Sequence, residues 1–267
     1  MHIGKKIRMQ SVFREDGRTV IVALDHGGIA GPLSGIENPT FTIKEVVEGG
    51  ADAILTTRGF VQRSEEAWRR SAGIIMRLSG GFTILRGKFE EELISTVEAA
   101  LRFGACGVAV TVKFGHEREG EFIRNASTVS DQCELWGVPL MIEAMAQGSA
   151  YGKPLSGPAD PVGISMAARM AQELGADIIK TYYTGSPETF ANVVTGCPVP
   201  IVILGGEKTE NDEQLFQNIL ESLQAGGAGV AIGRNIWQKG NTRKMTRAIV
   251  GLVHEGWTIE QALLYVK

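Results

Sequence analysis

Short apolar segments recur along the chain, and four of them follow the same order of residues. Each begins at the end of a helical pattern and continues through a glycine and a small residue into a short apolar run. The glycine is expected to close the helix in a left-handed conformation, and the apolar run predicts a buried strand. These four segments are residues 48–59, 102–115, 173–185 and 224–235.

Four further apolar runs bring the number of predicted strands to eight. In 136–145 and 197–206 a proline stands among the first residues of the run, where its missing N–H group weakens a strand least. The other two runs are 18–28 and 73–81. All are almost continuously apolar, which is typical of parallel strands that are covered on both faces.

Helical patterns separate the predicted strands, for example at 89–103, 160–174 and 211–225. The acidic run at 90–92 is expected to form the first turn of its helix, where the helix dipole favours negative charge, and to have no functional role. Eight strand–helix units in 267 residues predict an α/β fold, a (β/α)8 TIM barrel that forms one domain over residues 1–267. An open, doubly wound sheet is the alternative architecture.

The composition argues against several classes of function. The net charge is −3 and no basic block occurs, so a nucleic-acid partner is not expected. No apolar run is long enough to span a bilayer and the first residues lack the apolar stretch of a signal peptide, so we expect a cytoplasmic protein without a membrane partner. The cysteines are odd in number and far apart, which suits buried thiols better than a disulfide or a metal site; they are Cys106, Cys133 and Cys197.

Polar residues and glycines stand where the predicted strands end. In a TIM barrel the active site is built from the C-terminal ends of the strands, so these residues are the candidates for binding and catalysis. They are Asp25, His26, Arg58, Lys113, Glu143, Lys180, Tyr182, Gly205, Gly206, Gly233 and Arg234.

Lys180 interrupts the apolar strand "GADIIKTYYTG" (175–185) and needs an explanation. An outward orientation would bury an unpaired ammonium against helices, whereas an inward one brings it near Asp25 and Glu143. A buried lysine can act as an amine nucleophile, because desolvation favours its neutral form. The alternatives are a plain ion pair and a phosphate ligand.

Glycines follow the seventh and eighth predicted strands in "ILGG" and "AIGRN". Without side chains, Gly205, Gly206 and Gly233 let the backbone approach an anion closely, and Arg234 adds a charged fork beside them. The loops after these two strands are the recurrent phosphate site of TIM barrels. We therefore expect a phosphorylated small-molecule substrate.

Several motifs together resemble those of the archaeal-type class I aldolases of the DeoC/LacD superfamily, over essentially the whole chain. They are "ALDHG", "GPLSGIENP", "TTRG", "GADIIKTYYTG", "CPVPIVILGG" and "GVAIGRNIWQ". This group includes fructose-bisphosphate aldolase, aminodideoxyheptulosonate synthase and the autoinducer-2 thiolase. The resemblance implies a Schiff-base lysine at Lys180 and an active-site aspartate at Asp25, with no metal and no cofactor. It also implies a homodecamer, and a phosphate cradle at Gly205, Gly206, Gly233 and Arg234.

One position departs from the resemblance. The fructose-bisphosphate aldolase and heptulosonate synthase branches carry a proton-shuttling tyrosine where this chain has Met145. Methionine cannot transfer a proton, so either another group takes this role or the reaction differs. Glu143 and Tyr182 are the candidates, although Glu143 could instead neutralise Lys113 or Lys180, and Tyr182 could be a packed aromatic residue.

We also expect His26, Arg58 and Lys113 to bind substrate, with a loop hydrogen bond as the alternative for His26 and an ion pair for Arg58. The predicted function is that of a Schiff-base aldolase, a lyase or transferase that makes or breaks a C–C bond in a phosphorylated ketose-like substrate. The alternatives are an autoinducer-2-type acyl or ketol transferase acting on a phosphorylated dione, a phosphate-binding isomerase or prenyltransferase, and a non-catalytic barrel that binds a phosphorylated metabolite.

Overall fold

Eight parallel strands close into a barrel in the computed structural model of the chain, which describes residues 2–68, 72–87, 89–206 and 211–267. Each strand pairs with its neighbours in sequence, and the last pairs with the first. The TIM-barrel prediction is therefore confirmed, and the open sheet is excluded. The strands are β1 Thr19–Ala23, β2 Ala53–Thr56, β3 Gly73–Arg77, β4 Gly107–Phe114, β5 Leu140–Ala146, β6 Ile178–Thr181, β7 Ile201–Leu204 and β8 Gly229–Ile232.

Helices surround the barrel and connect its strands. They are α1 Ile3–Met9, α2 Gly27–Ala30, α3 Pro39–Glu48, α4 Arg58–Gln62, α5 Val97–Arg102, α6 Glu119–Trp136, α7 Pro161–Glu173, α8 Pro187–Gly196, α9 Asp212–Gln224, α10 Arg234–Trp237, α11 Thr242–His254 and α12 Ile259–Val266, with a 3-10 turn at Glu65–Ala67. None of the helices in the described ranges is long and apolar enough to cross a membrane.

The glycines that were expected to end helices do adopt left-handed conformations. Their φ angles lie between 76° and 94°, at Gly50, Gly104, Gly175 and Gly226. A residue with a Cβ atom is strained in this conformation, so glycine is the residue that lets each helix turn into the following strand.

The helix predicted over 89–103 is wrong in its first half. Only Val97–Arg102 is helical, and the side chain of Thr96 caps it by accepting a hydrogen bond from the N–H of Ala99. The preceding Glu92–Leu93 pairs antiparallel with Ser79–Gly80, so this segment folds back over the end of β3. The patterns at 160–174 and 211–225 are confirmed as α7 and α9.

Two apolar layers stabilise the barrel, one between strands and helices and one inside the strands. The inner layer is closed from below by Met9, Val12 and Phe13, which follow or end α1. The chain passes close to β3 here, because a Cβ atom on Gly73 would lie only 2.2 Å from the carbonyl oxygen of Ser11.

Candidate active site

Polar side chains continue the inner faces of the strands above the apolar layer. Side chains two residues apart on a strand share a face, so each polar group points where its apolar predecessor points. Asp25, Arg77, Thr111, Glu143 and Lys180 follow Ala23, Ile75, Ala109, Met141 and Ile178, which belong to the inner apolar layer. These five polar residues line a cavity of about 700 Å³ at the C-terminal end of the barrel.

Lys180 points into this cavity, and only 5% of its surface is exposed. Its Nζ atom lies 2.7 Å from Oε1 of Glu143, its register neighbour on β5. The adjacent Thr181 points the other way and donates a hydrogen bond to the carbonyl oxygen of Ala144. The ammonium is thus held by a carboxylate at the floor of the cavity.

Arg77 donates hydrogen bonds to polar residues on or just after three other barrel strands. Its Nε atom donates to Oδ2 of Asp25 at 2.9 Å, and its Nη2 atom donates to Oε2 of Glu143 at 2.6 Å. Nη1 donates to the hydroxyl oxygen of Thr111 at 2.5 Å. Arg77 is not among the site residues predicted from the sequence, although it lies in the apolar strand "GIIMR" and raises the same question as Lys180.

Asp25 and Glu143 are both ionised in this arrangement. Burial alone would raise the pKa of Asp25, but the Arg77 guanidinium outweighs it and holds this pKa well below its ordinary value. Burial likewise opposes ionisation of Glu143, but the charges of Lys180 and Arg77 lower its pKa to about 2. Two cations and two carboxylates therefore balance one another at the floor of the cavity.

Glu91 is a third carboxyl group in the cavity, and the prediction that it belongs to the first turn of a helix, without a functional role, is wrong in its placement. It precedes the short strand Glu92–Leu93, and only 5% of its surface is exposed. Burial raises the pKa of Glu91, while Arg77 and the hydroxyl of Ser79 oppose this shift. No local sequence pattern indicates its position, because that position depends on the fold-back of the segment onto β3.

The glycines after β7 and β8 lie together at one side of the cavity, with Arg234 beside them. Nη2 of Arg234 donates to the carbonyl oxygen of Gly206 at 2.9 Å, which ties the two loops together. A Cβ atom on Gly233 would lie 2.7 Å from the carbonyl oxygen of Ala23, and one on Gly205 would lie 2.8 Å from Ile232. Close packing therefore requires glycine at both positions.

Other predicted site residues divide into two groups. His26, Tyr182 and Met145 line the cavity, and Nδ1 of His26 lies 3.4 Å from Oδ1 of Asp25. Arg58 and Lys113 are not among the lining residues. Arg58 is exposed at the start of α4, and Nζ of Lys113 lies 4.9 Å from the ring centre of Phe89.

Within the described ranges, no group of three or more His, Cys, Asp or Glu side chains is placed to hold a metal ion. All three cysteines are free thiols, and none of them lines the cavity. The described residues of the cavity therefore offer amine, guanidinium, imidazole, carboxyl and hydroxyl groups and exposed backbone.

Comparisons with known proteins give a consistent picture. Residues 19–239 match the DeoC/LacD family of aldolases. The chain is 34% identical over 260 residues to the 2-amino-3,7-dideoxy-D-threo-hept-6-ulosonate synthase of Halobacterium salinarum, covering 97% of this chain and 95% of that protein. It is 31% identical over 256 residues to the 2-amino-4,5-dihydroxy-6-oxo-7-(phosphonooxy)heptanoate synthase of Streptomyces griseus, covering 96% and 92% respectively.

Solved structures with this fold include fructose-1,6-bisphosphate aldolases. A Schiff-base-forming enzyme superimposes with a TM-score of 0.83 at 29% identity, over 94% of this chain and 100% of that one. An archaeal enzyme, with its catalytic lysine covalently bound to the carbinolamine intermediate of the substrate, superimposes with a TM-score of 0.82 at 29% identity, over 93% of this chain and 99% of that one.

Proposed function

The chain belongs to the DeoC/LacD family of aldolases and is an enzyme of that family, and from this premise we propose that it is a class I aldolase with Lys180 as the Schiff-base lysine. One observation carries the proposal. Lys180 is almost fully buried, lines a cavity of about 700 Å³, and is held by Glu143 at 2.7 Å from Nζ. A fixed, desolvated amine at the C-terminal end of a barrel strand is suited to attack a carbonyl carbon.

The reaction begins with addition of the Lys180 amine to a ketone, which gives a carbinolamine. The hydroxyl group of the carbinolamine takes up the proton that Glu143 received from Nζ and leaves as water, which gives an iminium ion. In the cleavage direction, the substrate hydroxyl loses its proton and the neighbouring C–C bond breaks. The electron pair of that bond moves to the iminium and forms an enamine, which neutralises the nitrogen. The bond-forming direction is the reverse of these steps.

Glu143 and Asp25 have different roles in this proposal. Glu143 accepts a proton from Nζ, because the positive charge of Lys180 is a main cause of its low pKa and that cause weakens as the amine becomes neutral. Asp25 remains ionised beside Arg77 and holds the hydroxyl of the carbinolamine by accepting a hydrogen bond.

The name of the Streptomyces relative supports a phosphorylated ketone as the donor, whereas the product named for the Halobacterium relative is deoxygenated at C7 and has no phosphate there. The Streptomyces product carries a hydroxyl at C4 and a ketone at C6, so an aldol reaction would join C4 to C5. The ketone half is then dihydroxyacetone phosphate, which is also the ketone half of fructose 1,6-bisphosphate. We propose the same donor here, with its phosphate at Gly205, Gly206, Gly233 and Arg234.

A second candidate is acyl or ketol transfer to or from a phosphorylated dione, as in the autoinducer-2 thiolase. Met145 supports it, because this residue lines the cavity and cannot move protons as the family tyrosine does.

The cytoplasmic location and the homodecamer also stay predictions.

Aldol activity tests the proposal directly. Dihydroxyacetone phosphate is incubated with a panel of aldehydes, including phosphorylated and amino-acid aldehydes, and new C–C bonds are detected by mass spectrometry. We expect one or more products, formed equally well with EDTA, and none with Lys180→Met. Lys113→Met is the matched control, since Lys113 lies near the end of β4 and is not among the residues that line the cavity. Equal activity of Lys180→Met and the wild type would refute the proposal.

A further inference from the structure

Formation of an enamine requires a group that first takes a proton and later returns it. Asp25 is poorly suited to this exchange, because its ion pair with Arg77 keeps it ionised. Glu143 is already engaged, because it pairs with Lys180 and exchanges its proton with Nζ. Met145 has no proton to exchange. The further inference rests on the aldolase function proposed above and concerns this proton.

We propose that Glu91 is the catalytic acid and base that carries the proton between the donor carbon and the aldehyde oxygen. Glu91 lines the same cavity as Lys180. Only 5% of its surface is exposed, and among the described residues its Oε2 atom has no hydrogen-bond partner. A buried carboxyl oxygen without a partner is costly unless a ligand or water pairs with it.

The position of Glu91 is fixed from both sides in sequence. After it, Glu92–Leu93 pairs with Ser79–Gly80, the extension of β3. Before it, the ring of Phe89 packs against Phe82 with a centroid distance of 4.8 Å and against Phe122 at 5.7 Å. These contacts hold the carboxyl group above the floor of the cavity, although Glu91 belongs to a loop segment.

Four groups on the barrel strands and their extensions face Glu91: Arg77, Ser79, Thr111 and Glu143. Arg77 is already shared between Asp25 and Glu143, and Lys180 pairs with Glu143. The two cations and two carboxylates at the floor of the cavity thus balance one another, and an ionised Glu91 adds a further negative charge. Burial, helped by the charge of Glu143, raises the pKa of Glu91 above its ordinary value. Such a carboxylate is a stronger base and exchanges its proton nearer to neutral pH.

The proton balance closes over one bond-forming cycle. The carboxylate of Glu91 removes a proton from the carbon next to the iminium; the C–H pair forms the C=C bond, and the C=N pair returns to nitrogen. The resulting enamine carbon attacks the aldehyde, which forms the C–C bond and restores the iminium. The aldehyde oxygen then takes the proton from Glu91, whose carboxylate is regenerated.

Deuterium exchange separates this role from Schiff-base formation. Dihydroxyacetone phosphate is incubated with enzyme in D2O without an aldehyde, and loss of the carbon-bound proton is followed by NMR. A parallel sample is treated with borohydride, and the adduct on Lys180 is measured by mass. The variant is Glu91→Gln, and the matched control is Glu92→Gln, whose exposed carboxylate pairs with Arg118.

We expect Glu91→Gln to keep the borohydride adduct and to lose about 10²- to 10⁴-fold in the exchange rate, the usual contribution of a general base. Glu92→Gln should keep both the borohydride adduct and the wild-type exchange rate. If Glu91→Gln exchanges deuterium as fast as the wild type, the role of Glu91 is overturned. If the wild-type enzyme forms no borohydride adduct, the proposed aldolase function is overturned instead. If no adduct forms, an infrared titration of the substrate-free enzyme tests the role of Glu91 independently. The wild type should show a protonated carboxyl band that is missing from Glu91→Gln and that persists to higher pH than the bands of exposed carboxyl groups. Absence of this band from the wild type would also overturn the role of Glu91 as acid and base.

Discussion

Residues at the floor of the cavity depend on one another for their charge. Arg77 donates hydrogen bonds to Asp25 and Glu143, and Glu143 also holds Lys180. A buried charge without a partner is strongly destabilising, so removal of Arg77 affects both carboxylates at once. The network thus links the stability of the barrel mouth to the position of the nucleophile.

We predict that Arg77→Met lowers the free energy of unfolding by about 3–5 kcal/mol at pH 7. In the wild type both carboxyl pKa values are depressed, so their contribution to stability is present above about pH 4 and is lost as the pH falls through their folded values. The difference between variant and wild type should therefore narrow as the pH falls from 4 toward 2. Urea denaturation measures the free energy of unfolding. Arg77→Lys, which retains the positive charge, should lose less of this free energy than Arg77→Met. Equal loss at pH 7 and pH 2 would contradict this explanation.

Arg234 acts at the other side of the cavity, beside the carbonyl oxygen of Gly206. If it binds the phosphate, its contribution is the same in the ground state and the transition state. Arg234→Ala should raise KM for dihydroxyacetone phosphate about 10- to 100-fold, with kcat changed by less than about 3-fold. KM for unphosphorylated dihydroxyacetone should stay constant, and an equal rise for both ketones would argue against a phosphate site here.

The sequence predicts the site residues whose strands are regular. Lys180 can be placed by the two-residue period together with the cost of burying an unpaired ammonium, and the same reasoning applied to "GIIMR" would have found Arg77. Glu91 could not be found in this way. It reaches the cavity only because a loop segment pairs with the extension of β3, and local patterns contain no information on that contact.

Secondary-structure elements show the same division. Helices α7 and α9 follow long amphipathic patterns and are capped by Asp160 and Asn211, so their bounds follow from the sequence. The stretch before α5 also has helical spacing of apolar residues. There the pairing of Leu93 with Ser79, beyond the end of β3, decides in favour of a strand, because tertiary pairing overrides a short local pattern.

Helix α11 is joined to the loops before β1 and β2 by His254 at its end. Nδ1 of His254 lies 2.7 Å from Oδ2 of Asp16, and Nε2 lies 2.9 Å from Oδ2 of Asp52. Burial alone would lower the pKa of His254, but the hydrogen bonds to Asp52 and Asp16 outweigh it and raise this pKa above 6.5. Protonated His254 therefore stabilises the attachment of α11 to the barrel.

The sign of the pH effect follows from that raised pKa. The contribution of His254 to stability is fully present below pH 6.5, the ordinary value, and is lost as the pH rises through the folded value. His254→Gln should therefore be most destabilising below pH 6.5 and less so in alkaline solution. Thermal unfolding from pH 5.5 to 9 measures the difference in stability between His254→Gln and the wild type. A difference that grows with pH would contradict the assignment.

At the scale of the whole molecule, eight apolar strands separated by helical patterns predict a (β/α)8 barrel, and the pairing of the last strand with the first excludes the open sheet that the pattern also allows. Assembly of several copies is a separate question. Apolar side chains are exposed on α1 at Ile3 and Ile7, and at the end of α6 at Leu135 and Trp136. The two helices are adjacent, because Lys5 of α1 pairs with Glu134 of α6.

We predict a homo-oligomer, ten chains by resemblance to the family, that uses this apolar surface. Sedimentation velocity at micromolar concentration should show a species much larger than the 28.7 kDa chain. Replacing Ile3 and Ile7 with lysine should reduce its size, because the charges would have to be desolvated in an interface. Leu85→Lys, at an exposed loop position, is the control and should leave the size of the oligomer unchanged. A monomeric wild type would exclude the prediction.

Covalent trapping of Lys180 tests the central claim most directly. The enzyme is mixed with dihydroxyacetone phosphate and borohydride, which reduces an iminium to a stable secondary amine, and the modified peptide is identified by mass spectrometry. We predict a single adduct on Lys180, within "GADIIK", that is absent from Lys180→Met and retained in Lys113→Met. An adduct on another lysine, or substantial aldol turnover by a folded Lys180→Met variant, would contradict the account.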